Sequence, residues 1–402
     1  MTRQLAIDGG TPVRTEPFPA WPVFDEREEQ AVLTALRSGA WGENNGTRVV
    51  EFGKAFAAFQ GAKHAVCVPN GTIALELALQ TLGIGPGDEV ITTPYTFIAT
   101  SASILTLGAR PVFVDIDPET YNLDPDKIEA SITPRTKAIL PVHLGGQPAD
   151  MDAIRDVAQR HGLKVIEDAC QAWGSQWQGQ GVGAIGDLGA FSFQSSKNIT
   201  SGEGGIVLTN DDELYERAWS LHNVGRVRDG AWYQHELLGR NLRMPELAAA
   251  ILLVQLERLP EHMAIRDTNA GYLTAALTEE VPGITPIATD PRVTRESHHL
   301  YQMRYDQHAF GGRSRDEFLT ALQAEGITPT SAGYVPLHQS PAIQRTLTER
   351  FGADSLTAND LPVSEAAGKS TVWLQQTALL GTQTDMDSII DAMKKIQGAW
   401  GH

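Results

Sequence analysis

The sequence predicts an α/β fold. It has a seven-stranded, mostly parallel central sheet with helices on both faces, and a smaller C-terminal α+β domain. Three observations predict it. Short apolar runs recur at residues 64–68, 89–92, 111–115, 138–142, 164–167, 190–193 and 205–209, and such continuous runs suit strands buried on both faces. Helical segments at 73–82, 98–107, 125–132 and 151–161 fill most of the gaps, and strand–helix alternation implies parallel neighbours joined by crossovers. The third is length: 402 residues hold one large domain with a sizeable core plus a smaller one.

Residues 1–24 are rich in Pro and Gly (GGTPVRTEPFPAWPVF) and read as an extended N-terminal arm lying over something else. Asp25 opens a helix to about Ser38, with Val32 and Leu36 on its apolar stripe and Gly39 as its stop. A Gly/Asn loop at 39–46 carries Trp41, and a second amphipathic helix covers 49–60. After the strand–helix alternation comes PELAAAILLVQLERL, a helix over 245–259 too apolar for a surface position. From about His262 the composition is mixed, with shorter elements at 301–305, 315–325 and 386–397. The expected domains are therefore an arm at 1–24, a large domain at 25–261 and a small C-terminal domain at 262–402.

Lys plus Arg number 32 against 49 Asp plus Glu, a net charge of −17. Nucleic acid and anionic membranes select basic patches, so neither is an expected partner. The N-terminus lacks a signal-like apolar region, and no run approaches membrane-spanning length. The expected location is the cytoplasm. Cys67 and Cys170 lie in apolar runs without a Cys or His at metal spacing, so two buried thiols and no metal are expected.

Four constellations bear on chemistry. The first is Phe191 to Gly205, FSFQSSKNITSGEGG, in which Lys197 sits between two strands among Ser, Thr and Gly. It is either a solvated loop residue or a lysine whose desolvated amine attacks an aldehyde carbon. The second is Asn70-Gly71-Thr72, between the strand HAVCVP and the helix IALELALQTL. It is either a phosphate cradle at a helix N-terminus or an ordinary N-cap by Thr72. The third is Asp168 in LKVIEDACQAWG, at a strand's carboxyl end, where ligands of open α/β sheets bind. An acid there holds a pyridinium nitrogen protonated or serves as a helix cap or ion-pair partner. The fourth is Pro94-Tyr95-Thr96-Phe97, where an aromatic stacks on a flat ring or packs in the core. Gly181, Gly183 and Gly186 match G-x-G-x-x-G, but a polar stretch precedes them and a β-run follows. A dinucleotide fingerprint needs the opposite context, so these glycines read as a turn, which disfavours a nicotinamide dehydrogenase.

In series, strand-NGT-helix, PYTF, EDACQA, FSFQSSKNITSGEGG and GRNLRMPELAAA resemble the PLP-dependent sugar aminotransferases of fold type I (the DegT/StrS type). The likeness covers nearly the whole chain. It implies that Lys197 bonds through its amine to the aldehyde carbon of pyridoxal 5'-phosphate and then moves protons as general acid and base. It implies Asp168 at the pyridine nitrogen and Gln171 at the ring's phenolic oxygen. Gly71 and Thr72 amides with the Ser192 hydroxyl would hold the phosphate, and Phe97 would stack on the ring. Asn241, in GRNLRMPE, would reach the phosphate of the neighbouring subunit, making the enzyme a homodimer with shared active sites. Lys197 and Ser192 leave one strand end, so a short segment can hold both ends of such a cofactor, and a desolvated amine has a lowered pKa.

Asn70, Cys170 and Trp173 depart from the family pattern, which commonly has Ser, Ala and a smaller residue at these positions. A family subset with His for the lysine dehydrates sugars; the lysine here implies transamination. FPAWPVFDERE and GAWGENNGTRVVEF resemble the branch of glutamine:scyllo-inosose aminotransferases and 3-amino-5-hydroxybenzoate synthases. The implied reaction is ping-pong transfer from L-glutamine (or L-glutamate) to a keto-cyclitol or keto-sugar in secondary-metabolite or aminosugar biosynthesis. The alternatives are a 3-amino-5-hydroxybenzoate synthase-like dehydratase and aromatase, a nucleotide-linked keto-sugar aminotransferase, and a non-catalytic member. Trp41, with Asn44 and Asn45, and Tyr334 and His338 in GYVPLHQSP, match segments near the acceptor in the family, or serve the fold alone.

Overall fold

Seven strands form one sheet: β1 (His64–Val68), β2 (Glu89–Thr92), β3 (Arg110–Phe113), β4 (Thr136–Leu140), β5 (Lys164–Asp168), β6 (Leu188–Ser192) and β7 (Gly205–Thr209). The computed structural model describes residues 4–352 and 360–401. Residues 1–3 of the expected arm, and 353–359 and 402 of the expected C-terminal domain, lie outside the described residues. The sheet order is β1-β7-β6-β5-β4-β2-β3. β3, β2, β4, β5 and β6 pair in parallel, whereas β7 runs antiparallel to both β6 and β1. The seven apolar runs are these seven strands. β3 ends two residues early because the Asp115 carboxylate turns away to accept from Val363 N, Ser364 N and Ser364 Oγ.

Helices α1 (Glu26–Ser38), α2 (Arg48–Gln60), α3 (Gly71–Thr81), α4 (Ala99–Thr106), α5 (Met151–His161) and α6 (Asp212–His222) cover the faces. On one face Phe52 and Phe56 of α2 meet Phe191 and Phe193 edge-on, with ring centroids 5.0–5.3 Å apart, the geometry that aromatic quadrupoles favour. On the other, Leu75, Leu79 and Ile104 pack over Val66, Ala138 and Leu188. The expected helix at 125–132 is instead two 3₁₀ turns, Pro125–Lys127 and Glu129–Ser131. Asp124 Oδ1 accepts from the Asp126 N–H and pulls the start of the segment into a tight turn.

The apolar helix, α7 (Glu246–Glu280), does not stop at Leu259; it continues through Pro260. A proline inside a helix forfeits one hydrogen bond and costs about 3 kcal/mol. Burial of Leu252, Leu256, Leu259, Met263, Leu273 and Leu277 along its length offsets that loss. α7 therefore crosses the expected boundary at 261/262 and enters a second core. That core lies on a four-stranded antiparallel sheet, ordered β8 (Ile284–Pro286), β9 (Leu300–Tyr305), β11 (Thr371–Gln375), β10 (Thr330–Ala332). Helices α8 (Arg315–Ala324), α9 (Pro341–Phe351), α10 (Pro362–Ser370) and α11 (Gln383–Trp400) complete this part.

The arm bridges both parts. Leu5 is buried in the second core, and the Ala6 and Val13 amides donate to buried Glu325 at 2.8 and 3.0 Å. Farther along, Trp21 Nε1 donates to the Ser195 carbonyl at 2.9 Å, so the arm ends against the loop that carries Lys197.

Alternation along β5 sends its two acids to opposite sides. Glu167 is fully buried and accepts from the amides of Gly183, Ile185 and Gly186 at 2.7, 2.8 and 2.6 Å. His143 Nδ1 accepts from the Ala149 amide at 3.0 Å, which fixes the proton on Nε2, and Nε2 donates to Glu167 at 2.9 Å. The G-x-G-x-x-G turn thus wraps an internal carboxylate. Gly183 is at φ +79°, and a Cβ there would fall 2.4 Å from the Phe191 ring.

Candidate active site

A cleft of about 670 Å³ opens at the carboxyl edge of the parallel strands. It is bordered by Asn70–Thr72 after β1, Thr96 and Phe97 after β2, Asp168–Gln171 after β5, and the β6–β7 hairpin. Tyr334 and His299, from beyond α7, close it. The structure therefore brings Lys197, Asp168, Gly71, Thr72, Phe97, Gln171, Ser192 and Tyr334 to one cavity.

Asp168 is 5% exposed. Its Oδ2 accepts from Thr100 Oγ1 at 2.8 Å and its Oδ1 from the Cys170 amide at 3.2 Å. Thr100 also contacts Thr96 Oγ1 at 3.0 Å. Two donors fix the carboxylate's rotation, and a third direction faces the cleft. Gln171 Oε1 accepts from the Gly145 amide at 2.8 Å, which orients its amide so that Nε2 donates to the Tyr334 hydroxyl at 3.0 Å.

At the opposite end, Asn70 rather than Thr72 caps α3, its Oδ1 accepting from the Ile73 amide at 2.9 Å. The amides of Gly71 and Thr72, in the first turn of α3, have no carbonyl of that helix to bond. A Cβ on Gly71 would fall 2.6 Å from Ser192 Cβ and 3.1 Å from Ser192 Oγ. Only a bare glycine leaves room between that hydroxyl and the helix end. Two first-turn amides and a hydroxyl suit a phosphate dianion.

Lys197 lines the same cleft. Its backbone amide donates to the Gln194 carbonyl at 2.9 Å, and its Nζ lies 5.8 Å from the centroid of the Trp173 ring. Trp173 is fully buried and donates from Nε1 to the Ser192 carbonyl at 3.0 Å, so it packs behind the lysine and does not line the cleft. Burial lowers the Lys197 amine below its ordinary pKa, against the opposing pull of Cys170 and Asp168. Such an amine is available as nucleophile and base near neutrality. Cys170, expected to be buried, is only partly covered and lines the cleft.

Five expected residues lie outside this cavity, Asn44 and Asn45 among them. Trp41 is exposed, with Nε1 donating to the Leu36 carbonyl at 2.9 Å. Asn241 is exposed in a bridge to Asn223. His338 contacts Glu365 at 3.2 Å. Sequence reasoning in turn missed Thr100, His299 and Glu203, which line the cleft. Thr100 was findable, being one helical turn beyond Thr96. His299 carried no local signal.

The DegT/DnrJ/EryC1/StrS aminotransferase family model matches residues 22–394. The chain belongs to this family. It is 40% identical to the L-glutamine:2-deoxy-scyllo-inosose aminotransferase of Streptoalloteichus tenebrarius, over 98% of each chain. It is 39% identical to the 3-amino-5-hydroxybenzoate synthase of Amycolatopsis mediterranei, over 92% of this chain and 94% of that one. A crystal structure of 3-amino-5-hydroxybenzoic acid synthase superimposes with a TM-score of 0.88 at 37% identity, covering 95% of this chain and 99% of the other. S. venezuelae DesV, solved in complex with a ketimine intermediate, does so at 0.82 and 37% identity, over 92% and 94%. This DegT/StrS protein is accordingly a PLP-dependent aminotransferase of fold type I, and the residues of its cleft fit that cofactor.

The Gly71–Ser192 contact yields a prediction. Gly71→Ala fills the space beside the two first-turn amides, so the dissociation constant for pyridoxal phosphate rises about tenfold or more. Titrating the cofactor's visible absorbance into purified variant and parent reads it directly. Equal affinity means the phosphate sits elsewhere.

Proposed function

We propose that this aminotransferase moves the amino group of L-glutamine onto the carbonyl of a keto-cyclitol by a ping-pong mechanism. The observation that carries the reading is the charge of the cleft. Among the described residues lining it, Lys197 is the one cationic side chain, beside the carboxylates Asp168 and Glu203. A nucleotide-linked sugar presents a diphosphate that calls for Arg or Lys, whereas a cyclitol presents only hydroxyls and a ketone. The relatives named as glutamine:scyllo-inosose aminotransferases support the same acceptor class.

In this reading the amides of Gly71 and Thr72 and the Ser192 hydroxyl bind the cofactor phosphate. Asp168 accepts from the protonated ring nitrogen, Gln171 contacts the ring oxygen, and Phe97 covers a ring face. Pyridoxal phosphate, when bound, supplies the electron sink for cleavage at the amino acid's α-carbon. Lys197 Nζ anchors the cofactor, takes the α-proton and returns it one carbon away. Tyr334 bounds the acceptor side. Exposed apolar side chains at Phe24, Leu36, Trp41, Val50, Trp232 and Leu238 support a homodimer, in which Asn241 and Trp41 serve the second copy's cleft and His338 backs the Tyr334 segment.

A second reading has its own support: the superposition on 3-amino-5-hydroxybenzoic acid synthase suits a dehydratase and aromatase using the same lysine. Visible spectroscopy separates the two. The yellow holoenzyme should bleach with L-glutamine, and 2-deoxy-scyllo-inosose should restore the band. Bleaching by L-glutamate alone, with restoration only by a nucleotide-linked keto-sugar, would overturn the cyclitol assignment. A band that neither amino acid bleaches would favour the synthase.

A further inference from the structure

His299 is 7% exposed and is anchored on two sides. Its ring meets Trp173 edge-on at 5.5 Å, the same indole that lies beneath Lys197 Nζ. Its Nδ1 is 3.1 Å from Asn198 Oδ1. Asn198 Nδ2 donates to the Ser297 carbonyl at 2.7 Å, which leaves Asn198 Oδ1 as acceptor and puts the imidazole proton on Nδ1. His299 Nε2 is then a lone pair. Among the described residues it has no hydrogen-bond partner, yet it is not a sealed orphan, because the ring lines the cleft. A neutral acceptor with a fixed tautomer therefore faces the cavity that holds the catalytic amine.

We propose that His299 is a positioning residue whose Nε2 accepts a hydrogen bond from Lys197 Nζ, as amine or ammonium, whenever that nitrogen is free of the cofactor, holding Nζ over Trp173 and within reach of the carbon that the neutral amine deprotonates. The proposal rests on the reading that Lys197 is the amine of transamination. The hydrogen shared with Nε2 stays on Nζ, so the imidazole begins and ends neutral, while the neutral amine takes the substrate proton on its lone pair and gives it back. Burial, with the Lys197 and Arg266 cations nearby, holds His299 well below the usual histidine range, so it stays an acceptor across the neutral range. The other ionisable groups in this cleft are Asp168, Cys170, Glu203 and Tyr334, and none of them makes a hydrogen bond to His299. The Asn198 bond adds that the residue after the lysine and the histidine are positioned by one another.

The test uses full-length holoenzyme converted by excess L-glutamine to the amine-carrying form of its cofactor, in which Lys197 is free. Competitive acetylation across pH, read by peptide mass spectrometry, gives the titration midpoint of Lys197. His299→Asn keeps a donor for Asn198 and removes the acceptor from the cleft. A neutral acceptor stabilises the ammonium, so its loss lowers the midpoint by about one pH unit. The rate of both half-reactions should fall about tenfold or more, with KM little changed. His299→Gln, which returns an oxygen near the Nε2 position, should restore most of the midpoint. His299→Phe serves in place of His299→Asn if that variant does not accumulate. A midpoint unmoved in the acceptor-free variant overturns the proposal, even if activity drops. Failure of glutamine to convert the parent enzyme would instead sink the underlying aminotransfer reading.

Discussion

Lys197→Ala should lose roughly a thousandfold or more of its turnover while the fold and its urea midpoint stay close to those of the parent. The side chain removed is half-buried, makes no hydrogen bond among the described residues, and is desolvated at a cost. Its loss therefore relieves a penalty, and the acceptor it leaves, His299 Nε2, faces the open cleft. The cradle at Gly71, Thr72 and Ser192 and the Asp168 carboxylate are untouched, so the variant should still bind the cofactor, but without the covalent link and its visible band. A small exogenous amine should restore part of the rate. Turnover measured with and without added methylamine, beside far-UV circular dichroism, decides the matter. Full activity without added amine would end the assignment of Lys197.

The neighbouring acid should behave in the opposite way. Glu167→Ala should cost about 3–5 kcal/mol of stability, because it strands three backbone amides and the Nε2–H of His143 in a dry interior. Each unpaired donor forfeits about 1–3 kcal/mol. Glu167→Gln should be milder but still destabilising, since its NH₂ must face at least one of those donors. Urea unfolding followed by tryptophan fluorescence measures the loss. A variant within 0.5 kcal/mol of the parent, roughly the size of a surface change, would show that the turn satisfies itself some other way.

These two acids mark how far the sequence could be read. EDACQA offers Glu167 and Asp168 side by side at a strand's end. Period-two geometry says that only one can face the cleft, and the position at the strand's carboxyl terminus selects Asp168. The strands were legible for a related reason: buried on both faces, they needed uninterrupted apolar runs. α7 was legible as a buried helix but not in its length, because Pro260 is a local stop signal that tertiary burial overrides. The 3₁₀ turns at Pro125–Ser131 failed in reverse, with helical composition but a start that the Asp124 side chain draws into a tight turn. Within the cleft, residues on the βα turns could be named from spacing. His299 could not, because it arrives more than a hundred positions after Asp168 and its orientation is fixed by the distant Trp173 and Asn198.

The 35-residue rod from Glu246 to Glu280 has a mechanical consequence. At 1.5 Å per residue it spans about 52 Å, with one end built into the large core and the other into the second. A hinge needs a few residues free to change φ and ψ, and the helix, which forfeits one hydrogen bond at Pro260 but keeps helical geometry through it, provides no such loop at this junction. Clamshell closing would require bending the rod. The Gln171–Tyr334 bond spans the gap it braces, so opening the cleft would break that bond as well as bend the rod. Access must then depend on small loop displacements at the rim, around Phe97 and Glu203.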